Sequence, residues 1–252
     1  MKAGEEFEGN ALYEPGVGER TAGEMLELDP SELAHVRALR LHEGDPVRIT
    51  DGKGRLWAAR LVRGSAGLSV RLEAPHPVSG PLPADLWVPV GNKQATLWLV
   101  EKAAEFGASG ITPIEFARSA SVADASRSPG FWRKAERRAV AAMKQSGGAW
   151  LPKFGSPRPL PTCLEDSPEE GSRFILDRSG VPLADRLAEW DGRQPVTVVV
   201  GPEGGLTAEE YDMCEAAGFT RVGLASRVLR FETAAVAALA VLAQRALQQE
   251  EV

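Results

Sequence analysis

"VTVVVGPEGGLTAEE", residues 196–210, sets five β-branched residues against a glycine-rich turn. An apolar run bounded by turn residues reads as a buried strand ending at Val200. Gly201, Pro202, Glu203, Gly204 and Gly205 form the turn. Thr207, with Glu210 three residues on, has the spacing of a capping box, so "LTAEEYDMCEAAG" reads as a helix. In open α/β sheets ligands bind beyond the carboxyl ends of the strands, and glycines there let backbone groups approach a ligand. The turn is neither a phosphate P-loop, lacking Gly-Lys-Ser/Thr, nor a GxGxxG dinucleotide fingerprint. Taken alone, it reads better as a plain structural turn than as a site.

Working outward, "ADLWVPVG" (84–91) reads as a strand, "KQATLWLVEKAAEFG" as a helix ending at Gly107, and "ASGITPIEF" (108–116) as a second strand. "GFWRKAERRAVAAMKQSGG" (130–148) reads as a helix, "SRFILDRSG" (172–180) as a strand and "PLADRLAEW" (182–190) as a weaker helix. Strands alternating with helices predict an α/β domain with a mostly parallel sheet. Upstream, "APHPVSGPLP" (74–83) has the composition of a linker. Before it, Asp29-Pro30-Ser31 opens a short helix carrying Leu33, Val36 and Leu39. "HEGDPVRIT", "RLWAARLV" and "GLSVRLEAP" read as strands, with a tight turn at Asp51-Gly52 and Gly54. They predict a small β-barrel or curled sheet. The expected domains are 1–75, with the first 25 or so residues loose, and 76–252.

At 252 residues the chain accommodates two domains, and 43% hydrophobic with 25% charged residues is ordinary for a soluble protein. No apolar run approaches the roughly 20 residues of a bilayer span, and "MKAGEEFEGN" lacks the apolar core of a secretory signal. Cys163 and Cys214 show no CxxC spacing, which suggests a reducing, cytoplasmic setting. His35, His42 and His76 form no pattern with cysteine, so no metal is expected. The net charge of −6 hides segregation: residues 118–158 hold nine Lys/Arg against Asp124 and Glu136, whereas 161–220 hold four arginines against thirteen acids. The basic segment reads equally well as a phosphate-facing surface or a solvated helix face.

A second loop changes the odds on the first. "VGLASRVLRFETAAVAALAVLAQRAL" (222–247) joins a strand end to a long alanine-rich helix through a turn crowded with Arg227, Arg230 and Glu232. "GPEGG" followed some twenty residues later by "LASRVLRFETAAVAAL" resembles the 16S ribosomal RNA (uracil-N3) methyltransferases of the SPOUT class, whose pattern is GPEGG and then LG-P-RILRTETA-AAL. "EKAAEFGASGITPIEFARS", "AMKQSGGAWLP" and "HVRALRLHEGDPVRITDGKG" resemble upstream motifs of that family, so the likeness runs from about residue 29 to 247.

The resemblance implies a SPOUT-type parallel α/β sheet with a C-terminal trefoil knot, preceded by a small PUA-like β-barrel that contacts RNA. It implies S-adenosylmethionine as cofactor, bent between the two loops. Leu176, Val200, Gly201, Pro202, Glu203, Gly204, Gly205, Leu224, Ala225, Ser226, Val228, Leu229, Arg230 and Thr233 are then the expected cofactor-binding residues. It further implies a homodimer whose partners are 16S RNA and the small ribosomal subunit, with no membrane. The chain departs from the family pattern at several positions. Ala225 stands for a glycine, Ser226 for a proline, Phe231 for a threonine, Glu101 for a glutamine, Phe106 for a leucine and Gly148 for an arginine.

Uracil N3–H is protonated at neutral pH and hidden in base pairs, so the target base must be unpaired or splayed out. A cation near the carbonyl oxygens would stabilise the anion that develops at N3. Arg230 is the first candidate and Arg118 the second. Glu232 would either take the proton or orient Arg230 through a charge-assisted bond, and an acid favouring a helix N-terminus is an equal explanation for it. For RNA, Arg37, Arg40, Lys53 and Arg55 on the first domain and Arg133, Lys134, Arg137, Arg138 and Lys144 on the basic helix make a candidate phosphate track. Two other functions stay open at this point: a knotted methyltransferase with another rRNA or tRNA target, and a non-catalytic RNA-binding assembly protein.

Overall fold

The computed structural model describes residues 9–64, 67–119, 128–167 and 170–250. The chain divides into two compact units. The first holds the described residues up to Gly80 together with Met143–Leu151, and the second holds Pro81–Ala142 and the described residues from Pro152 onward. The nine residues 143–151 therefore group with the N-terminal unit, whereas the sequence reading places the boundary at residue 75 alone.

In the first unit a helix α1 (Pro30–Ala38) accompanies a five-stranded sheet. The strands are β1 (Asn10–Tyr13), β2 (Met25–Glu27), β3 (Pro46–Thr50), β4 (Leu56–Gly64) and β5 (Gly67–His76), in the order β1-β3-β4-β5-β2. β1 pairs with β3 in parallel and the remaining pairs are antiparallel. Of the loose start expected over the first 25 or so residues, residues 1–8 lie outside the described residues; beyond them Leu12 on β1 and Val17 are fully buried, and both belong to the core with Val36, Ile49 and Leu61. A four-residue strand between glycines carries too little alternation to be read from sequence. Asp29 caps α1 as expected, accepting from the N–H groups of Ser31 and Glu32. Arg40, just past the helix, adopts φ 55, a left-handed geometry more usual for glycine.

The DGKG turn owes its shape to more than its glycines. Asp51 Oδ1 accepts from the backbone N–H groups of Lys53 and Arg55. Gly54 donates to Ala149 O at 2.9 Å, and Leu151 donates to Gly52 O at 2.8 Å. A Cβ on Gly54 would overlap the Trp150 ring, so that glycine is required by the packing of the 143–151 segment.

In the second unit the strands are β6 (Leu82–Pro89), β7 (Ala108–Glu115), β8 (Lys153–Phe154), β9 (Arg158–Pro159), β10 (Ser172–Pro182), β11 (Val196–Val199) and β12 (Thr220–Gly223). They form one sheet, β12-β10-β11-β6-β7-β8, with β9 also on β7, and every pair is parallel. This is the expected α/β architecture. All four residues of β11 are buried, as the continuous β-branched run requires of a central strand covered on both faces. The helices are α2 (Lys93–Glu105), α3 (Pro129–Ser146), whose last four residues belong to the first unit, α4 (Leu160–Glu165), α5 (Leu183–Arg186), α6 (Ala208–Ala216) and α7 (Phe231–Glu250). The weak helix expected over 182–190 shrinks to the four residues of α5 because strand β10 continues to Pro182. Cys163 and Cys214 are both buried free thiols. Among the described residues no helix is long and apolar enough to cross a membrane.

Lys144 is a correction to the phosphate track. Its ammonium lies 2.6 Å from Glu32 Oε1, with the two side chains only 12% and 6% exposed. This ion pair, internal to the first unit, already neutralises the charge. Removing one partner of a buried pair leaves the other charge uncompensated, so Lys144→Ala should cost about 3–5 kcal/mol in urea unfolding. Pairing it with Glu32→Gln should recover a large part of that loss. A loss below about 1 kcal/mol would place the pair among surface contacts.

Candidate cofactor site and the adjoining groove

The strand β11 runs directly into the glycine-rich loop. Val200 still pairs, donating to Trp87 O on β6, and the loop then closes a tight turn in which Gly205 N–H donates to Pro202 O at 2.8 Å. Gly205 has φ +69, a conformation that side chains disfavour. A Cβ on Gly201 would meet Leu206, and one on Gly204 would press on the Arg118 side chain. The glycines thus serve the loop's own packing as well as an open approach from outside.

The capping box forms as expected. Thr207 Oγ1 accepts from Glu210 N–H, and Glu210 Oε2 accepts from Thr207 N–H. The other oxygen, Oε1, accepts from Ala117 N–H at 2.7 Å. One residue further, Arg118 Nη1 donates to Gly204 O at 2.9 Å and Leu206 O at 3.3 Å. The segment after β7 is therefore stitched to the glycine loop. Arg118 acts here as a positioning residue for that loop rather than as a free cation.

The opposite wall comes from an irregularity in β10. Leu176 and Val181 both pair with Val222, so residues 177–180 bulge out of register. Gly180 is needed there, because a Cβ would collide with the backbone of Arg221 and Val222. Asp177 fastens the bulge, its Oδ1 accepting from Ser179 N–H and Oγ at 2.7 Å each. Burial pulls the Asp177 carboxyl upward. The bonds from Ser179 and the Tyr211 hydroxyl outweigh it and hold the group below its ordinary value. Burial and that same bond to Asp177 push the Tyr211 phenol up to about 12. Arg221 stacks over the Tyr211 ring at 4.1 Å and pairs with Glu215 at 2.5 Å.

Between these walls lies a cavity of about 370 Å³. It gathers Leu176, residues 200–205, Leu224, Ala225, Val228 and Leu229 from the expected set. Arg230 and Thr233 lie elsewhere: with Glu232 they line an adjoining groove formed with Asn92, Gln94, Ala95 and Trp98. Val228 and Leu229 border both spaces. Ser226 is exposed and lines neither. The Arg230–Glu232 bond is absent from the described residues. Glu232 instead occupies the first turn of α7, where an acid suits the helix end.

Sequence reasoning missed Asp177, Arg178, Leu206, Tyr211, Val222, Arg227, Phe231 and Ala234 as lining residues. Asp177 and Arg178 directly follow Leu176 and could have been read with it. Tyr211 lies one helical turn beyond Thr207, which a capping pattern gives no reason to aim at a ligand. Phe231 does more than replace a hydroxyl: it is 2% exposed and lines the cavity.

The RNA-track residues divide. Arg37, Arg40, Lys53 and Arg55 are exposed on the first unit, and Arg133, Lys134 and Arg137 are exposed on α3. Arg138 donates to Glu101 at 2.8 Å while remaining 47% exposed. Lys144 is withdrawn by its buried pair with Glu32.

The stitching makes a prediction. Arg118→Ala removes two charge-assisted bonds from the loop, a loss of roughly 1.5–3 kcal/mol of local stability. Amide hydrogen exchange over 201–206 should then quicken about tenfold or more while the β4–β5 pair keeps its protection. Unchanged exchange in the loop would show that Arg118 does not hold it.

A model of the RNA methyltransferase domain matches residues 79–243. The "Ribosomal RNA small subunit methyltransferase E" of Synechocystis sp. is 28% identical over 208 residues, covering 81% of this chain and 67% of that protein. The protein of the same name from Aquifex aeolicus is 27% identical, covering 89% and 96% respectively. Among solved structures, a putative methyltransferase from Legionella pneumophila, in complex with bound SAM, superposes with a TM-score of 0.79 at 27% identity, over 93% of this chain and 97% of that one. With well over half of its length matched by the domain model and the parallel sheet and paired loops in place, the chain belongs to the RNA methyltransferase family.

Proposed function

We propose that the chain is an S-adenosylmethionine-dependent methyltransferase that methylates N3 of one uridine in 16S ribosomal RNA of the small subunit. The observation that carries this reading is the cavity between the glycine loop and the 224–229 loop. Its volume of about 370 Å³ falls in the range of small-ligand sites. The residues fit the cofactor's chemistry. Leu176, Val222, Leu224, Leu229 and Phe231 supply apolar walls for a purine and its ribose, and the loop backbone supplies donors and acceptors. Asp177 and Glu203 offer negative charge to an ammonium, while Arg178 and Arg227 offer positive charge to a carboxylate. The small-subunit RNA methyltransferase names of the relatives and the SAM-bound neighbour support the same reading.

Bound there, S-adenosylmethionine supplies an electrophilic methyl group. The chain's own residues position the partners and exclude water. The groove that shares Val228 and Leu229 with the cavity is the place for the base. Trp98, 40% exposed, offers an aromatic face for stacking, and the exposed Arg230 offers a cation to the uracil carbonyl oxygens. Unpaired with Arg230 and half-buried at the start of α7, Glu232 is the carboxylate on that groove able to receive the N3 proton.

The parallel strand order, with β10 meeting β12 on both sides of the 177–180 bulge, supports a SPOUT-type sheet closed by a C-terminal trefoil knot. The five-stranded first unit supports the PUA-like reading. Exposed Val228 beside the site, at 81%, supports a homodimer that covers it. The assigned substrate is ribosomal RNA, so the protein works in the cytoplasm.

Small subunits incubated with labelled S-adenosylmethionine should yield N3-methyluridine. Arg230→Ala should lower kcat on the order of 10²-fold, the usual cost of one donor to a developing oxyanion, with cofactor affinity little changed. A methyl group on another nucleotide would redirect the substrate assignment. Cofactor binding without transfer to any RNA would overturn the catalytic reading.

A further inference from the structure

A second concave site lies in the same unit, where the first turn of α2 meets the first half of α3. Its volume is about 360 Å³. Three cations line it, Lys93, Lys134 and Arg138, with apolar Leu97 and Phe131 and polar Gln94 and Ser128. Among the described residues no carboxylate lines it; Glu101 reaches Arg138 from outside the rim. Lys134 and Arg138 are four residues apart and share one face of α3, which separates them from Arg133 and Arg137.

This arrangement is unfavourable for the protein alone. Arg138 already shares Glu101, but Lys93 and Lys134 are like charges gathered in one concave site and repel each other. Neither helix carries an acid in its first turn, and Lys93 is the first residue of α2, where the helix dipole already disfavours a cation. An anion entering the cavity relieves both costs.

The cavity's neighbours say which anion. Gln94 lines both this cavity and the Arg230 groove, and Val228 and Leu229 join that groove to the cofactor cavity. Three concave spaces therefore follow one another through shared residues: cofactor, base, and a basic terminus. A nucleotide whose base occupies the middle space carries its charge on the adjoining backbone phosphates. Lysines bind phosphate as point charges without reading sequence, which suits a contact that sets register.

We propose that the Lys93–Lys134–Arg138 cavity is a phosphate subsite for the RNA backbone beside the methylated nucleotide. The proposal rests on the RNA methyltransferase reading and adds to it a substrate contact at Lys93 and a division of labour along the basic helix.

The test compares the wild-type protein with the Lys93→Ala/Lys134→Ala double variant and with Lys134→Arg, using small ribosomal subunits as the RNA. RNA affinity is measured across a salt series, and cofactor affinity and the unfolding midpoint are measured alongside. The double variant should bind RNA more weakly, and its slope of log affinity against log salt should be shallower by about 2, roughly one for each lost phosphate contact. Lys134→Arg should keep the wild-type slope. Cofactor affinity and unfolding midpoint should stay at wild-type values. A wild-type slope in the double variant overturns the subsite, as does a loss of cofactor affinity matching the loss for RNA. Failure of the parent reading shows separately, as absence of methyl transfer by the wild-type protein, and the slope comparison still decides whether the cavity holds phosphate.

Discussion

The carboxylate of Glu210 sits at the junction on which the site depends. The residue is only 5% exposed, and a buried carboxylate is tolerated where donors surround it. Its two oxygens are divided between two chain segments: one closes the N-terminus of α6 at Thr207, and the other takes the Ala117 N–H just after β7. The neighbouring Arg118 then reaches back to the carbonyls of Gly204 and Leu206. A flexible run of glycines is thereby held from both ends, with its open side toward the cavity. Gly205, at φ +69, turns the chain through a conformation that side chains disfavour.

The parallel sheet explains why a second wall stands opposite that loop. β10 lies between β11 and β12, so the end of β11 and the bulge of β10 emerge side by side. The bulge is stabilised by the ring of Asp177, Ser179, Tyr211 and Arg221, which links β10, α6 and β12. Apolar surface from Leu176 and Phe231 is left facing inward, and charge of both signs stands at the rim. Such a cavity suits a ligand with a flat apolar part and a zwitterionic part.

Much of this was legible in the residues. The β-branched run 196–200, the Thr207–Glu210 spacing and the alternation of strands with helices specify the second unit's elements, because each is a local pattern with its own physical cause. The two loops are recognisable as a pair only by resemblance, since GPEGG alone reads better as a plain structural turn, and the packing of Leu206 and Arg118 accounts for two of its glycines. Contacts between distant segments were not legible. Lys144 reads as one more cation on a basic helix until Glu32, 112 residues away, is seen beside it. Arg230 and Thr233 read as cofactor contacts until the turn before α7 carries them over to the adjoining groove. The strand β1 escaped notice because four residues between glycines show almost no periodicity, although Leu12 is fully buried.

The central claim is that the two loops enclose the cofactor. Titration of the protein with S-adenosylmethionine, followed residue by residue through backbone amide resonances, tests it most directly. The account predicts saturable shifts over 201–206, 224–229 and the 177–180 bulge, with the amides of the β3–β4 pair unaffected. Absence of saturable binding, or shifts confined to residues outside those three segments, would contradict it.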